Sequence, residues 1–600
     1  MRRIISILTL VFTIATTSNA GVELYVSPRG NDAGAGTAEE PFFTLARARE
    51  AIGKLAAGGL TTDVRVVIHG GTYCLRQPLV LGPKFSGTEQ HSITFAAFPG
   101  ETPVISGGRQ VTGWAKGTGQ VWTVFLPDVK LGKWYFRQLF VNGRPAVRAR
   151  SPNFNDDPPY YSVSGAQLSE DNQYFQVALK TGQVHAWQNL SDVELVACGE
   201  FEILRKQIWR VNEAAAAVYL NPPHVRGHPM MMPREKTRCY LENALEFLDQ
   251  PGEWYADRRT GVLYYWPLPD EDMISAKVFA PVLTSIVELK GTPGFSVKNI
   301  HFKGLHFAHV NWPLPKGGYY GLQACFYSIA NFQRPWFDLV AQVSSAINWQ
   351  FAKSCSFEDG QISQVGGVGL QVGRGCSSNL IQGNIFCDIG GNGLMIGEGK
   401  DSAHFAEAVT VNRVLDNHVY RCGTEYFGAV GIWAGYASET IIAHNAVHDL
   451  PYSAISVGWR WDTSPTGCRS NIIEYNDVHH FMGTLSDGAG IYTLGFQPGT
   501  IIRGNLVHEN AYHGQGVYGA NSLQLDDGSK GLYIESNITC DGAGRVHLNL
   551  VPGLATTPAE WNTWGTNYFE VNSSDTNFPK ELAGKAGLEP EYRKRLAETR

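Results

Sequence analysis

From Gly366 to Asn549, short apolar segments alternate with polar positions at period 2 and return at a nearly constant interval. One set closes on Gly or Asp: GLQVG (369–373), GLMIG (393–397), GIWAG (431–435), AISVG (454–458), GIYTLG (490–495) and SLQLD (522–526). A second set closes on Asn: LIQGN (380–384), VLDN (414–417), IIAHN (441–445), IIEYN (472–476), IIRGN (501–505) and YIESN (533–537). Those Asn are spaced by 33, 28, 31, 29 and 32 residues, the signature of a solenoid. The segments run only four or five residues, alternate strictly and are bounded by Gly, Asn or Asp, so they are strands and not helices. Successive copies point the same way along the chain and must therefore pair in parallel. The pattern predicts an all-β, right-handed parallel β-helix. An Asn that returns in phase fits an inward ladder, because its amide can both donate to and accept from neighbouring rungs.

The same alternation sorts the faces. If Leu370 and Val372 point inward, Gln371 points outward, followed in later copies by Met395, Trp433, Ser456, Tyr492 and Gln524. Rungs stack about 4.8 Å apart, so these residues form one column. Exposed Trp433 and Tyr492 on that column would suit a sugar chain lying along the sheet; a merely solvated face is the alternative.

Elsewhere the pattern changes four times. Met1–Ala20 reads as a secretory signal: Arg2-Arg3, an apolar run from Ile4 to Ala15, and Ser18-Asn19-Ala20 as the cleavage site. A secreted or periplasmic protein cut after Ala20 is expected. In 21–108, Phe42, Leu45, Ala48 and Ile52 share one helical face, predicting a helix that caps the open end of the coil before its first strands. Over 109–275 the repeat gives way to antiparallel-looking segments such as RQLFVNGRPAVRAR and GVLYYWP, with turns at Asn142-Gly143 and Arg259-Thr260-Gly261. This is an inserted, β-sandwich-like domain. The coil resumes in 276–570, and 571–600 turns charged, as a short helix or solvated tail.

Composition narrows the function. Charged residues are 17%, the net charge is −6 and there is no basic run, which argues against a nucleic-acid partner. The signal's apolar run is too short to span a membrane, and nothing later matches it. Ten Cys without CxxC spacing suggest small core residues in preference to a disulfide framework or metal site. A monomer is expected.

The places where the repeat breaks carry the chemistry. Asp526 stands in the slot held by Gly373, Gly397, Gly435 and Gly458, and Asp487 precedes the outward Tyr492. Two carboxylates beside a groove are what glycoside hydrolysis requires, one as acid and one as nucleophile or base. On a straight strand the two would lie too far apart, so the pairing needs a bend at Gly488–Gly490; Glu398, Glu425 and Asp462 are substitutes. Asp527 and Gln524 flank the second acid, and Trp459, in GWRWDTSP, could stack on a sugar. His448, His479 and His508 recur three residues after the ladder Asn. Because a repeat stacks like residues anyway, no metal and no cofactor are assigned.

Six segments resemble one family: PFFTLARAREAI, AAFPGETPVISGG, RQLFVNGRPAVRAR, EWYADRRTGVLYYWP, SDGAGIYTLGFQPGTIIRGN and LDDGSKGLYIESN. They are similar to the right-handed β-helix glycoside hydrolases of family 141, which include α-L-fucosidase and xylanase activities on plant polysaccharides. The resemblance covers most of the chain after the signal and implies two catalytic Asp, carried onto Asp487 and Asp526. The family motifs read closer to SDGGAIY and Y-x-DEGS. Here GVYGANSLQLDDGS looks like a short insertion before the acid, and Asp527 stands where Glu is usual. The expected partner is a polysaccharide or oligosaccharide. A polysaccharide lyase or a non-catalytic carbohydrate-binding β-helix are the alternatives, because the fold alone does not separate them.

Overall fold

The repeat closes as a three-sided coil in a computed structural model that describes residues 21–168, 174–222, 232–331, 340–401, 405–513, 518–549 and 560–599. One turn shows the plan: Ile441–Ala443, Ala446–His448 and Ile455–Val457 lie on three different faces, and Ile472–Glu474 begins the next turn. Stacked turns build parallel sheets of 12, 11 and 10 strands. Ile442, Val447 and Ile455 fill the interior, each at most 1% exposed, because β-branched side chains pack well on a pleated surface.

The corner between the first two faces explains the recurring Asn. The residue before each ladder Asn is left-handed: Gly383, Asp416, His444, Tyr475, Gly504 and Ser536 have φ between 50° and 68°. That turn points the Asn side chain into the coil. Asn417 Nδ2 donates to Asn445 Oδ1 at 3.0 Å, Asn445 to Asn476 at 2.9 Å, and Asn476 to Asn505 at 2.9 Å. Each also donates to a backbone carbonyl of the rung before, as Asn445 does to Val414 at 3.0 Å. The ladder thus satisfies polar groups that the corner would otherwise bury unpaired.

The cap and the insertion follow from local chemistry. Leu45–Ala56 is a helix whose N-cap Thr44 accepts from the Arg47 N–H, and Leu45, Ala48 and Ile52 are buried against the first coil. The insertion leaves after Pro103–Ser106 and the coil resumes at Val287–Lys290. Its strands are mostly antiparallel, with a hairpin turning at Asn142 (φ 49°) and Gly143 (φ 79°). It has hydrophobic clusters of its own, around Leu195 and Leu241 and around Trp254 and Leu263.

A buried ion cluster joins the insertion to the coil. Arg137 pairs with Glu194 at 2.9 Å, Arg148 with Glu242 at 3.0 Å, and Arg205 reaches Glu242 and, at 3.5 Å, Glu425 of the coil. Three guanidinium groups face three carboxylates, so the charges balance without water.

Two expectations need comment. The charged end forms the short helix, Pro590–Thr599, with Glu591, Arg593 and Lys594 exposed, but it is docked and not a free tail: Arg595 pairs with Asp359, Leu588 is buried and the Glu589 N–H donates to Asp416 at 2.8 Å. The signal at Met1–Ala20 lies outside the described residues. Among those described, no helix is long and apolar enough to cross a membrane.

Asn445 makes side-chain bonds to both neighbouring rungs. Asn445→Ala should therefore cost about 2–4 kcal/mol in urea unfolding, and Asn445→Asp should not rescue it, because the carboxylate cannot donate.

Candidate active site

The register of the 10-stranded sheet aligns Gln371, Met395, Trp433, Ser456, Tyr492 and Gln524 opposite one another, as the alternation predicts. The column points outward from the coil, yet it is not exposed. Trp433, Tyr492 and Gln524 are each at most 1% accessible. A segment that leaves the coil after His306–Val310 and returns at Ser345–Gln350 roofs it. The Phe326 ring lies 5.2 Å from Trp433 and 4.7 Å from Trp459, and Gln342 donates to Met395 Sδ. Tyr319 and Tyr320 of the same segment add a strand to the insertion, so coil, roof and insertion form one unit.

The expectation that Trp433, Tyr492 and Trp459 present open faces to a sugar is therefore corrected. A row of large rings is stabilised by apolar cover, and the aromatic-rich stretch 312–327 supplies it. That density of aromatics without period-2 alternation was the available sign of a roof.

The two acids do come together. Five extended residues would separate Asp487 from Tyr492 by about 16 Å. Gln524 lies opposite Tyr492, and its Nε2 nevertheless donates to Asp487 Oδ1 at 3.3 Å. The expected bend at Gly488–Gly490 is not what joins them: Gly488–Thr493 is one strand in register with Ala520–Leu525, and Asp487, just before it, turns in the left-handed region at φ 58°.

Asp526 occupies the slot of the corner glycines. In the rung before last, a Cβ at Gly458 would lie 2.0 Å from the Leu494 carbonyl of the next rung, so only Gly fits there. Beyond Asp526 the following rung offers a side chain instead, and Asn549 Nδ2 donates to Asp526 at 2.5 Å and to Asp527 at 3.2 Å. Asp526 also accepts from the Tyr492 hydroxyl.

One residue of the roof ties both acids to a common frame. Gln323 Nε2 donates to Tyr452 OH at 3.0 Å and to Tyr492 OH at 3.3 Å. Tyr452 in turn donates to the Asp487 carbonyl at 2.6 Å, while Tyr492 donates to the Asp526 carboxylate. Asn521 donates to Gln524 Oε1 at 2.9 Å, which turns the Gln524 amide nitrogen toward Asp487. The insertion contributes as well: Glu200 accepts from the Ser486 hydroxyl at 2.7 Å and pairs with Arg234 at 2.8 Å. Gln323, Tyr452, Asn549 and Glu200 escaped the sequence reading because none of them breaks the repeat in phase.

Burial pushes the Asp487 carboxyl up to about 7, and the charge of Asp526 adds to the rise, with Glu200 and Asp527 behind it. Asp487 is thus half protonated near neutrality beside a second carboxylate. The substitutes are occupied elsewhere. Glu425 belongs to the buried ion cluster, Asp462 pairs with Arg460 at 3.0 Å, and Glu398 accepts from the Arg374 N–H at 2.7 Å. Of the stretch GVYGANSLQ (516–524), Ala520–Gln524 lie within the strand Ala520–Leu525, in register with Gly488–Thr493; residues 514–517 lie outside the described ones.

Comparison with known proteins agrees with this architecture. Residues 119–268 match a family model described as the GH141 insertion domain, and 345–538 match a right-handed β-helix region. A solved structure described as a glycoside hydrolase superposes with a TM-score of 0.83 at 27% identity, covering 96% of this chain and 100% of the other. This chain is a β-helix glycoside hydrolase similar to those of family 141. The hydrolase is also 46% identical over 95 residues to the uncharacterized protein YwoF of Bacillus subtilis, a match spanning 16% of this chain and 18% of that protein.

The raised Asp487 carboxyl carries a stability cost with a definite sign. The folded state keeps a proton that the unfolded chain loses at lower pH, so stability falls as pH rises from about 4 to about 7. Asp487→Asn removes that penalty. The variant should match the wild type at pH 4 and exceed it at pH 8 by about 1–3 kcal/mol, measured by thermal unfolding at both pH values.

Proposed function

We propose that the protein hydrolyses glycosidic bonds in a plant-type polysaccharide, fucosylated or xylan-like, with Asp487 as general acid and Asp526 as the partner carboxylate. One observation carries this reading: burial and the neighbouring Asp526 raise the Asp487 carboxyl to about 7, so that it still holds part of its proton near neutral pH. A carboxyl group whose proton affinity is raised, facing a second carboxyl group across one site, is the arrangement that protonates a leaving oxygen on one side and assists departure on the other. Tyr492 and Gln524 hold the acids and do not act as sugar platforms. Asp527, half-buried beside Asp526 and accepting from Asn549 at 3.2 Å, borders the place where a sugar hydroxyl would bind. Export through Met1–Ala20 accords with a polymeric substrate outside the cytoplasm.

The roof bears on how the substrate enters. From Gln371 to Tyr492 the outward column is covered, so a chain cannot lie along that part of the sheet. The reading that follows is recognition of a chain end.

Asp487→Asn and Asp526→Asn should each lower kcat/KM by about 10³-fold or more while the protein stays folded. Wild-type kcat should fall above pH 7, as Asp487 loses its proton. Full hydrolysis by either variant would overturn the assignment, and an unsaturated uronate product absorbing in the ultraviolet would show a lyase instead.

On a fucosylated, xylan or pectic polymer, end recognition releases small sugars with little early loss of viscosity. A rapid viscosity drop would show cleavage within the chain and refute the end-recognition reading alone.

A further inference from the structure

The outer face of the 11-stranded sheet carries a column independent of the acids. Tyr420, His448, His479, His508 and Cys540 face one another in successive rungs. Ring centroids lie 4.5 Å apart for His448 and His479 and 4.9 Å for His479 and His508. Phase alone explains this stack, as it explains any column in a repeat. It does not explain Asp477. The neighbouring column reads Ala446, Asp477, Leu506, so a carboxylate stands where the adjoining rungs place apolar groups.

Asp477 points to the imidazoles. One ligating atom each from Asp477, His479 and His508 lies within 4.8 Å of the other two. His508 Nε2 is 3.0 Å from Asp477 Oδ1, while its Nδ1 is 2.9 Å from the Glu509 carboxylate. A neutral imidazole has one N–H. If that proton serves Glu509, Nε2 offers a lone pair to Asp477, and two lone pairs at this distance repel unless a positive charge stands there. A carboxylate on the remote nitrogen is the arrangement that orients a metal-bound histidine. Two ligands at about 2.0 Å in a tetrahedron lie about 3.3 Å apart, against 3.0 Å between His508 Nε2 and Asp477 Oδ1 and at most 4.8 Å for the other pairs.

We propose that Asp477, His479 and His508 form a binding site for a divalent transition metal such as zinc, oriented by Glu509. The ligand set is two imidazoles and a carboxylate, leaving a fourth position for water or another ligand. The site adjoins the C-terminal segment. A Cβ at Gly587 would lie 2.9 Å from Asp477 Cβ, and the Gly587 N–H donates to the Tyr475 carbonyl at 2.7 Å. A metal here stiffens two rungs at the point where that segment docks, and it takes no part in the reaction at Asp487. Its role is structural.

The test is titration of chelator-stripped protein with zinc chloride by calorimetry, with thermal unfolding and hydrolysis followed in parallel. One equivalent should bind with a dissociation constant at or below about 1 μM, and the melting temperature should rise. His479→Ala together with His508→Ala should abolish both effects, with circular dichroism confirming the fold. Glu509→Gln should weaken binding by about 10–100-fold. Cobalt(II) in place of zinc should give the intense visible bands of a four-coordinate site. Absence of a stoichiometric site, or equal zinc binding by the double variant, would overturn the proposal and assign His508 to a protonated ion pair with Asp477. Loss of hydrolysis on chelation would overturn the structural role. Neither result touches the assignment of the two acids, which is read on a separate assay.

Discussion

The structure depends on one constraint: a parallel coil must turn a corner every rung without leaving backbone polar groups unpaired. Asn384, Asn417, Asn445, Asn476, Asn505 and Asn537 meet it by bonding to one another and to the preceding rung. Each corner needs a left-handed residue followed by Asn, and that requirement is local. Once the ladder is in place, the strand spacing is fixed, and so is the phase of every column on the outer faces. The acids, the roofed aromatics and the histidine stack are all consequences of that phase.

The candidate site arises where this regularity ends. At Gly397 and Gly458, in the slot of Asp526, a backbone carbonyl of the next rung leaves no room for a side chain. Near the last rungs the constraint relaxes, and a carboxylate fits, supported by Asn549. Asp487, left-handed just before the strand Gly488–Thr493, accepts from the Gln524 amide on the neighbouring rung. The burial of Asp487 beside Asp526 costs stability in exchange for a raised proton affinity.

Coil, roof and insertion meet at the acids. Gln323 from the roof bridges the tyrosines that hold both, and Glu200 from the insertion adds negative charge beside Asp487. The buried cluster of Arg137, Arg148 and Arg205 with Glu194, Glu242 and Glu425 keeps the insertion in place. Such a cluster adds little net stability, yet losing one partner strands a buried charge, so it fixes where the insertion sits. The surface His479, His508 and Asp477 lie outside this frame, on another face of the coil.

The sequence by itself determined the coil, its handedness, the Asn ladder, the capping helix and the order of the outward column. These depend on period and on backbone chemistry within a few residues. It also singled out Asp526, which takes a repeated glycine slot, and Asp487, which precedes the outward Tyr492. Only the tertiary structure decided what covers that column. The roof at 312–327 is distant in sequence from Trp433 and Trp459, and no local pattern couples them. The same holds for the docked C-terminal helix and for Gln323, whose position depends on packing between separate elements. Periodicity fixes what a residue faces within its own sheet, while burial depends on what the rest of the chain lays over it.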